Sequence, residues 1–254
     1  MNEVKRILSF VRRAVDDYAM IEEGDRIAVG ISGGKDSLAL LAALARLRLF
    51  YPKKFEVIGI TVDMGFDGSD YRAIEEFCRD LNVEYRVIKT EIAKIIFDVR
   101  KEANPCSLCA KMRRGSLHAA AVEAGCNKVA LGHHYDDAVE TFMMNLFFEG
   151  RLGCFSPVSY LSNRQITLIR PLIYAQEKDV SYFARRQALP VQKSLCPEDH
   201  ATEREKMKQL LRELERGNDG LRHRIFHAMC KSEIDGFSLH GRYPDAGALP
   251  EDGQ

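Results

Sequence analysis

Residues 27–37 read IAVGISGGKDS, and this stretch decides the fold. No polar side chain lies between Ile27 and Ile31, which is typical of a strand covered on both faces. The SGG that follows predicts a tight turn, because glycine permits positive φ and lets the backbone approach a ligand closely. After Lys35 and Asp36 the leucines of SLALLAAL recur at helical spacing. We therefore expect a helix to begin at this turn.

A helix that begins directly after the turn makes it a candidate anion site. The helix N-terminus carries free N–H groups and partial positive charge, both of which favour phosphate. Lys35 adds a full charge, and Ser32 and Ser37 add hydroxyls. The stretch is not a Walker A loop, which would have glycine at Val29 and Ser or Thr at Asp36. On the residues alone, an ordinary strand-to-helix turn is the alternative.

Length and charge limit the class of protein. A chain of 254 residues can form one large α/β domain or two small ones. Its 37 basic and 37 acidic residues cancel, which argues against a nonspecific coat on polyanions but permits a local basic patch. The sequence has neither an apolar run of membrane-spanning length nor the apolar core of a signal peptide. We expect a cytoplasmic protein with reduced cysteines and no membrane partner.

Strand and helix patterns alternate up to about residue 170. This alternation predicts an α/β fold with a doubly wound parallel sheet and a helical C-terminal extension. We expect an N-terminal helix in residues 1–24, the sheet domain in 25–175, the extension in 176–231 and a disordered tail in 232–254. The strands are predicted at residues 27–31, 55–62, 83–88, 129–131 and 166–169, and the later helices at 35–49, 69–81, 92–99, 109–124, 138–148, 177–187, 202–215 and 219–229.

Polar residues follow two further strands. Asp63 ends the second strand, and the fourth is followed by LGHHYDD, which contains His133, Asp136 and Asp137. Ligands of open parallel sheets bind beyond the carboxyl ends of the strands, so these residues are candidates for the same crevice as the glycine turn. A carboxylate there could hold Mg²⁺ against phosphates or act as a base. Alternatively, Asp136 or Asp137 only caps a helix.

Three cysteines stand apart from the other four. Cys106 and Cys109 form a single CxxC after Asn104-Pro105, and Cys196 precedes a proline in KSLCP. A zinc ribbon needs a second pair, and a thioredoxin-type pair opens a helix directly after a strand. Zinc, redox or persulfide chemistry, a 4Fe-4S cluster with one iron left open, and inert thiols all remain alternatives. Packing alone explains the remaining cysteines: Cys78, Cys126, Cys154 and Cys230.

The order of the motifs resembles one family. SGGKDS, PCSLCAKMRRGSL, LGHHYDD, IRPLIYAQEKDV and KSLCP follow one another across about residues 5–235. This series is similar to that of the tRNA 2-thiocytidine synthetases, a branch of the PP-loop ATP pyrophosphatases with a Rossmann-like fold. That family replaces the C2 oxygen of a cytidine in the tRNA anticodon loop, at position 32, with sulfur. The resemblance implies that residues 25–175 form a PP-loop ATP-binding domain.

The resemblance also assigns roles to residues. It implies ATP and Mg²⁺ at the glycine turn, a 4Fe-4S cluster on three cysteines, and tRNA on a basic helix face. Some members of the family carry a second CxxC at the position of Lys193 and Cys196. Here Lys193 replaces the first cysteine of that pair, so Cys196 is the only cluster ligand that this second site offers. The implied ATP-binding residues are Ser32, Gly33, Gly34, Lys35, Asp36, Ser37, Asp63, His133 and Asp136. The implied catalytic residues are Lys35, Asp36 and Asp137. The implied cluster ligands are Cys106, Cys109 and Cys196, and the implied tRNA-binding residues are Lys111, Arg113 and Arg114.

The leading interpretation is therefore an enzyme that adenylates the cytidine oxygen and then replaces it with sulfur. Its expected partners are tRNA, ATP and either a cysteine-desulfurase-type sulfur donor or inorganic sulfide, and a homodimer is an open alternative to a monomer. One alternative is a tRNA-modifying adenylating enzyme like lysidine synthetase, which uses lysine as nucleophile and does not need the cysteines. The other is an ATP-binding iron–sulfur or sulfur-carrier protein without catalytic activity.

Overall fold

The computed structural model describes residues 3–100, 105–197 and 203–239. The strands are β1 (Asp25–Gly30), β2 (Phe55–Asp63), β3 (Glu84–Lys89), β4 (Lys128–Ala130), β5 (Val158–Leu161) and β6 (Ile166–Ile169). The helices are α1 (Glu3–Asp17), α2 (Lys35–Leu47), α3 (Arg72–Asp80), α4 (Ile92–Lys94), α5 (Pro105–Glu123), α6 (Tyr135–Phe148), α7 (Glu177–Arg186), α8 (Glu203–Glu215) and α9 (Leu221–Lys231). A π-helical segment, Ile95–Arg100, follows α4, and a 3-10 turn, Ile234–Gly236, follows α9.

The strands form one sheet in the order β3-β2-β1-β4-β6-β5. All neighbouring strands pair in parallel except β5, which pairs antiparallel with β6 at the edge. The predicted α/β fold with a mostly parallel sheet and a helical C-terminal segment is therefore confirmed. Strand β5 was not predicted, because its half-exposed residues at the sheet edge lack the apolar run that marks the central strands.

Helices cover both faces of the sheet. On one face, Leu117, Ala120 and Ala121 of α5 pack against Ala28 of β1 and Ile58 of β2. Helix α2, which packs against α1, α7, β1 and β2, is buried along almost its whole length from Ser37 to Leu47, so alanine and leucine fill nearly every position. A central strand flanked by two buried helix layers has to be apolar on both faces, as the sequence of β1 is.

Two compact units divide the described chain differently from the predicted domains. The first unit comprises the residues up to His134 and those from Val158 to Pro197, and it contains the whole sheet together with α7, which we had assigned to the C-terminal extension. The second unit comprises residues 135–157 and 203–239 and contains α6, α8 and α9. Within the second unit the ring of Tyr135 stacks on that of Phe226, with centroids 4.4 Å apart.

The predicted tail begins too early. Phe237 is fully buried and packs edge-on against Phe226 of α9, with ring centroids 5.5 Å apart. The packed chain therefore continues beyond residue 232, because burial of an aromatic ring gives this short segment a fixed position. Residues 240–254, the rest of the predicted tail, lie outside the described residues.

Helix starts also differ from the prediction. Ser69, where the helix predicted over residues 69–81 would begin, instead donates a hydrogen bond to the carbonyl of Phe66, and α3 begins only at Arg72. Helix α5 already includes Pro105, four residues before the predicted start, and proline is tolerated early in a helix because its missing N–H costs nothing there. Consequently both CxxC cysteines lie in the first turn of a helix. Among the described helices, none has the length and apolar character to cross a membrane.

A buried ion pair joins the amino ends of β1 and β4. Lys128 Nζ lies 2.7 Å from Asp25 Oδ2 and donates to the carbonyl of Met20 at 3.0 Å. Asp25 also accepts hydrogen bonds from the backbone N–H of Glu22 and the side-chain amide of Asn127. Each charge is thus compensated, which buried charges require.

We predict that Lys128→Met lowers the free energy of unfolding by about 3–5 kcal/mol, because Asp25 would keep a buried charge without its cation. Urea denaturation followed by circular dichroism measures this change. The matched control is Lys89→Met, which removes an exposed lysine from β3 and should change the free energy by less than about 0.5 kcal/mol. If Lys128→Met lowers the free energy of unfolding by less than about 1 kcal/mol, the ion pair contributes less to stability than we propose.

Candidate active site

The glycine turn after β1 is closed by the hydroxyl of Ser37, which is buried. Ser37 Oγ accepts a hydrogen bond from the backbone N–H of Ser32 at 3.1 Å and donates one to the carbonyl of Gly34 at 2.9 Å. The two serine hydroxyls lie 3.2 Å apart. Gly34 is the N-cap of α2 and has no side-chain cap. The predicted anion site is therefore a preformed turn at a helix N-terminus.

Two glycines allow the turns after β1 and β4 to take their positions. Gly33 has φ +82°, a left-handed conformation that favours glycine. A Cβ at Gly132 would lie 3.0 Å from the backbone nitrogen of Ser37 and 3.1 Å from the carbonyl carbon of Asp36. Side chains larger than hydrogen do not fit there. The LGHH turn thus lies directly against the start of α2.

Lys35 lies between two carboxylates. Its Nζ is 3.2 Å from Asp36 Oδ2 and 3.3 Å from Glu177 Oε1. Burial alone would lower the pKa of Lys35, but Asp36 and Glu177 outweigh burial and raise it, so the amine stays protonated. Glu177, at the N-terminus of α7, was not predicted as a site residue, because its contact with Lys35 depends on how α7 packs on α2.

The two carboxylate oxygens of Asp36 differ in their contacts. Oδ2 contacts Lys35, whereas Oδ1 is buried and has no hydrogen bond among the described residues. The nearest basic group to Oδ1 is Nε2 of the buried His134, at 3.7 Å. His134 and its neighbour His133 both follow β4. An orphaned buried carboxylate oxygen is a fitting ligand for a hard cation such as Mg²⁺.

Asp63 lies at the carboxyl end of β2, the strand next to β1. Its Oδ1 accepts hydrogen bonds from the backbone N–H of Gly65 at 3.0 Å and from the hydroxyl of Tyr71 at 3.3 Å. Burial raises the pKa of Tyr71, which keeps this phenol a neutral donor. The predicted position of Asp63 beside the turn follows from the parallel pairing of β1 and β2.

The two aspartates of LGHHYDD belong to the second compact unit. Asp136 lies 3.3 Å from Arg222, and Asp137 lies 3.5 Å from Arg204. The buried Glu140, one turn further along α6, lies 3.5 Å from both arginines. The sequence analysis missed Glu140, Arg204 and Arg222, because no local pattern connects an acidic helix start with arginines more than sixty residues away.

Burying the carboxylate of Glu140 in this network lowers the stability of the folded protein when the group is ionised. Burial raises the pKa of Glu140, and Asp137 raises it further, whereas Arg204 and Arg222 lower it. A carboxyl whose pKa is raised by folding adds stability below its ordinary value of 4.5 and loses that contribution as pH rises through the folded value. The two arginines limit this loss at neutral pH.

The three predicted cluster cysteines lie in the first unit and are the accessible ones. Cys106 is exposed, whereas Cys109 and Cys196 are half-buried. Burial raises the pKa of Cys109, the nearby Arg113 lowers it, and the neighbouring Cys196 and Cys106 raise it. Cys106 and Cys196 therefore lie close enough to Cys109 to raise its pKa, although no group of three His, Cys, Asp or Glu side chains in the described part of the chain has metal-binding geometry.

The other four cysteines are buried: Cys78, Cys126, Cys154 and Cys230. Burial raises the pKa of Cys78 to about 12 and also raises that of Cys126. Structural cysteines buried in an apolar core are inert, whereas reactive and metal-binding cysteines are at least partly accessible. The chemistry of the donor set therefore favours Cys106, Cys109 and Cys196 for a soft metal centre.

The predicted tRNA-binding cations lie on α5 and are exposed. Lys111 and Arg114 are three residues apart and share one helix face, whereas Arg113 follows Cys109 by four residues and lies beside it. Arg113 therefore acts on the thiol of Cys109, whereas Lys111 and Arg114 share the other helix face. Arg186 of α7 forms an ion pair with Glu3 of α1, with Nε and Oε1 3.8 Å apart, so this cation contributes to the packing of the two helices.

We predict that Arg222→Met destabilises the protein by about 2 kcal/mol at pH 7, because Glu140 and Asp136 lose a largely buried cation while Arg204 remains. The loss should grow as pH rises above 4.5, since the folded pKa of Glu140 would rise further. Urea denaturation at several pH values measures it. Arg224→Met is the control, because Arg224 binds only the exposed segment of Asn218 and Asp219. A pH-independent difference would contradict the role of Glu140.

Comparisons with known proteins show the family of the chain. Residues 4–215 match the PP-loop domain family. A tRNA-cytidine(32) 2-sulfurtransferase of Geobacter sulfurreducens is 40% identical over 228 residues, which cover 89% of each chain. Another from Geotalea daltonii is 41% identical over 232 residues, covering 89% of this chain and 91% of that protein. The solved structure of the U34-tRNA thiolase NcsA from Methanococcus maripaludis with its 4Fe-4S cluster is 27% identical, with a TM-score of 0.73 and coverage of 89% and 77%. These findings confirm the resemblance, and the chain belongs to the tRNA-cytidine(32) 2-sulfurtransferase family of PP-loop proteins.

Proposed function

We propose that this protein is an ATP-dependent, iron–sulfur-dependent tRNA sulfurtransferase that replaces the C2 oxygen of cytidine 32 with sulfur. The identity of about 40% to sulfurtransferases over nine tenths of the chain supports the reaction class. The observation that carries the proposal is that the preformed anion turn and the three accessible cysteines lie in one compact unit. An adenylating enzyme like lysidine synthetase would need only the first of these two features.

In the first half of the reaction the cytidine C2 oxygen attacks the α-phosphate of ATP, and pyrophosphate leaves. The residues of SGGKDS bind the phosphates: the backbone N–H groups at the start of α2 and the ammonium of Lys35 stabilise the developing negative charge. Lys35 exchanges its present contacts with Asp36 and Glu177 for phosphate oxygens. The adenylated oxygen is then a good leaving group, and sulfide can displace AMP. Asp63 and His133, at the ends of β2 and β4, bind the rest of the nucleotide.

Asp36 is our candidate Mg²⁺ ligand, because its Oδ1 is buried without a hydrogen bond among the described residues. The cation would neutralise the phosphates beside Lys35 and orient the α-phosphate for attack. The roles of Asp136 in ATP binding and of Asp137 in catalysis stay predictions, and within its own unit each carboxylate contacts an arginine. A carboxylate held by an arginine keeps one fixed orientation, which suits positioning better than proton transfer.

Cys106, Cys109 and Cys196 fit a 4Fe-4S cluster by their chemistry, since they are the accessible thiols and affect one another electrostatically. Bound by three thiolates, such a cluster supplies an iron with an open position for sulfide. Arg113 favours the thiolate form of Cys109. The other cysteines are buried and so are poor carriers of a persulfide. We therefore favour sulfide, supplied as such or by a cysteine desulfurase, as the sulfur source, in a reducing cytoplasm.

Lys111 and Arg114, exposed on one face of α5, are proposed to bind the tRNA backbone, and Arg113 to do so beside the cysteines. A base in the anticodon loop can leave its stack and enter a crevice, which a base in a duplex cannot do as readily. Because the net charge of the chain is zero, binding depends on where these cations lie rather than on overall charge.

We predict that Lys35→Ala lowers tRNA-dependent AMP release at least about 100-fold, because it removes charge stabilisation at the phosphates. The assay uses protein purified without oxygen, ATP, Mg²⁺, sulfide and unmodified tRNA, and mass spectrometry of the nucleosides identifies 2-thiocytidine. Lys54→Ala is the control and should keep full activity. Lys54 is exposed and directly precedes β2, so it lies at the amino ends of the strands, opposite the glycine turn.

Normal AMP release by Lys35→Ala would refute the ATP site. A product with lysine attached in place of sulfur would refute sulfur transfer and favour the reaction of lysidine synthetase.

We predict that Cys196→Ser loses most of the bound iron and acid-labile sulfide but still binds ATP, since the glycine turn is unchanged. Iron and sulfide analysis together with the visible absorption of anaerobic protein measures the cluster. Cys154→Ala is the matched control, because this thiol is buried, donates to the carbonyl of Ala138 and should leave the iron content unchanged.

Full iron content in Cys196→Ser, or loss of iron in Cys154→Ala, would show that the cluster is held by other residues.

A further inference from the structure

The loop that carries Cys196 begins where α7 ends. Residues 187–197, here named the Cys196 loop, have no regular secondary structure. Its start is fixed to the helix layer, because Gln187 accepts a hydrogen bond from Arg46 of α2 at 2.7 Å and Leu189 is buried. Near its other end, the backbone N–H of Cys196 donates to the hydroxyl of Ser194 at 3.2 Å. Between these points only one residue of the loop makes contacts that reach the nucleotide side of the sheet.

That residue is Gln192. Its backbone N–H donates a hydrogen bond of 2.9 Å to the carbonyl of Gly33, in the middle of the glycine turn. Its side-chain amide donates to the carbonyl of Asp70, in the segment between β2 and α3. Gln192 therefore bridges the two segments that follow β1 and β2, where we place the phosphates and the rest of the nucleotide.

The side chain of Gln192 also covers the α-carbon of Gly33. A Cβ built on Gly33 would lie 3.2 Å from Gln192 Oε1 and 3.4 Å from Gln192 Cβ. The glycine turn and the glutamine are thus in van der Waals contact as well as hydrogen bonded. Any movement of the turn that accompanies phosphate binding shifts the acceptor of the Gln192 backbone bond.

Only three residues separate Gln192 from Cys196, so Cys196 stays within a short distance of the bridge. Four residues span at most about 14 Å when fully extended. The hydrogen bond between Cys196 and Ser194 removes part of the remaining freedom. The position of the Cys196 thiol therefore depends on whether Gln192 is held by the turn.

We propose that Gln192 is a positioning residue that couples nucleotide binding at the glycine turn to the placement of Cys196. The inference rests on the proposed function, in which the turn binds ATP and Cys196 is a cluster ligand. Nucleotide fixes the turn and the Asp70 segment, and Gln192 transmits this order to the Cys196 loop. Because coupling between two sites is reciprocal, order at Cys196 strengthens nucleotide binding by the same factor.

The test measures the reactivity of the Cys196 thiol in the full-length protein without cluster. Iodoacetamide is added for short pulses, and peptide mass spectrometry separates Cys196 from Cys106 and Cys109. The ligand is α,β-methylene ATP with Mg²⁺, which cannot release pyrophosphate. We expect saturating nucleotide to slow the alkylation of Cys196 by about 5-fold or more in the unchanged protein, the lower end of typical coupling between sites.

Two variants remove the side-chain half of the bridge, the bond to Asp70, and Gln192→Pro removes the backbone half, because proline has no N–H to donate to Gly33. Gln192→Ala deletes the side chain, and Gln192→Glu keeps its size but replaces the donor to Asp70 with an acceptor. All three should bind nucleotide, as calorimetry would show, yet protect Cys196 less than 2-fold. Val191→Ala is the matched control, because Val191 is the exposed neighbour in the same loop and should keep full protection.

Protection that persists in Gln192→Pro as well as in both side-chain variants would overturn the inference, since bound nucleotide would then shield the thiol directly. Nucleotide binding without protection in the unchanged protein would overturn it as well. If the unchanged protein binds no nucleotide, the proposed function itself fails, and this result is distinct because calorimetry reports it before any thiol is measured.

Discussion

The buried hydroxyl of Ser37 closes the turn on which the rest of the site depends. It joins the N–H of Ser32 to the carbonyl of Gly34, so the turn has its shape before any ligand arrives. A preformed turn lowers the entropy cost of binding, because fewer groups must be ordered with the phosphate. It also fixes where α2 begins, and therefore where Lys35 meets Asp36 and Glu177.

The sheet order explains which features of the fold around the glycine turn could be predicted from the sequence. Strand β1 is central, with β2 on one side and β4 on the other, so three turns at one edge are neighbours. The apolar run of β1, the glycines after it and the alternation of strands with helices are local signals, and together they leave few topologies. Gly132 completes the arrangement, because only glycine permits the turn after β4 to lie against Ser37.

The remaining features depend on contacts that leave no local pattern. Glu140 meets Arg204 and Arg222 across 64 and 82 residues, and an arginine on a charged helix looks the same in sequence whether it is paired or free. Edge strand β5 lacks the apolar run of a buried strand. The predicted helix start at Cys109 was wrong because capping and proline effects are decided within one turn. Site residues that depend on packing between distant elements therefore needed the structure.

The cysteines show how such distant contacts can matter for chemistry. Cys106 and Cys109 are fixed on the first turn of α5, whereas Cys196 is on a loop without regular structure. A ligand on a loop must lose conformational entropy when it binds, about 1–2 kcal/mol for each residue that becomes fixed. Hydrogen bonds that hold the loop in advance reduce this cost, and those of Gln192 do so from the glycine turn. On the proposal that Gln192 couples the two sites, we expect the same bonds that hold the Cys196 loop to make the soft-metal site sensitive to the nucleotide site, although the two sites use different residues and different chemistry.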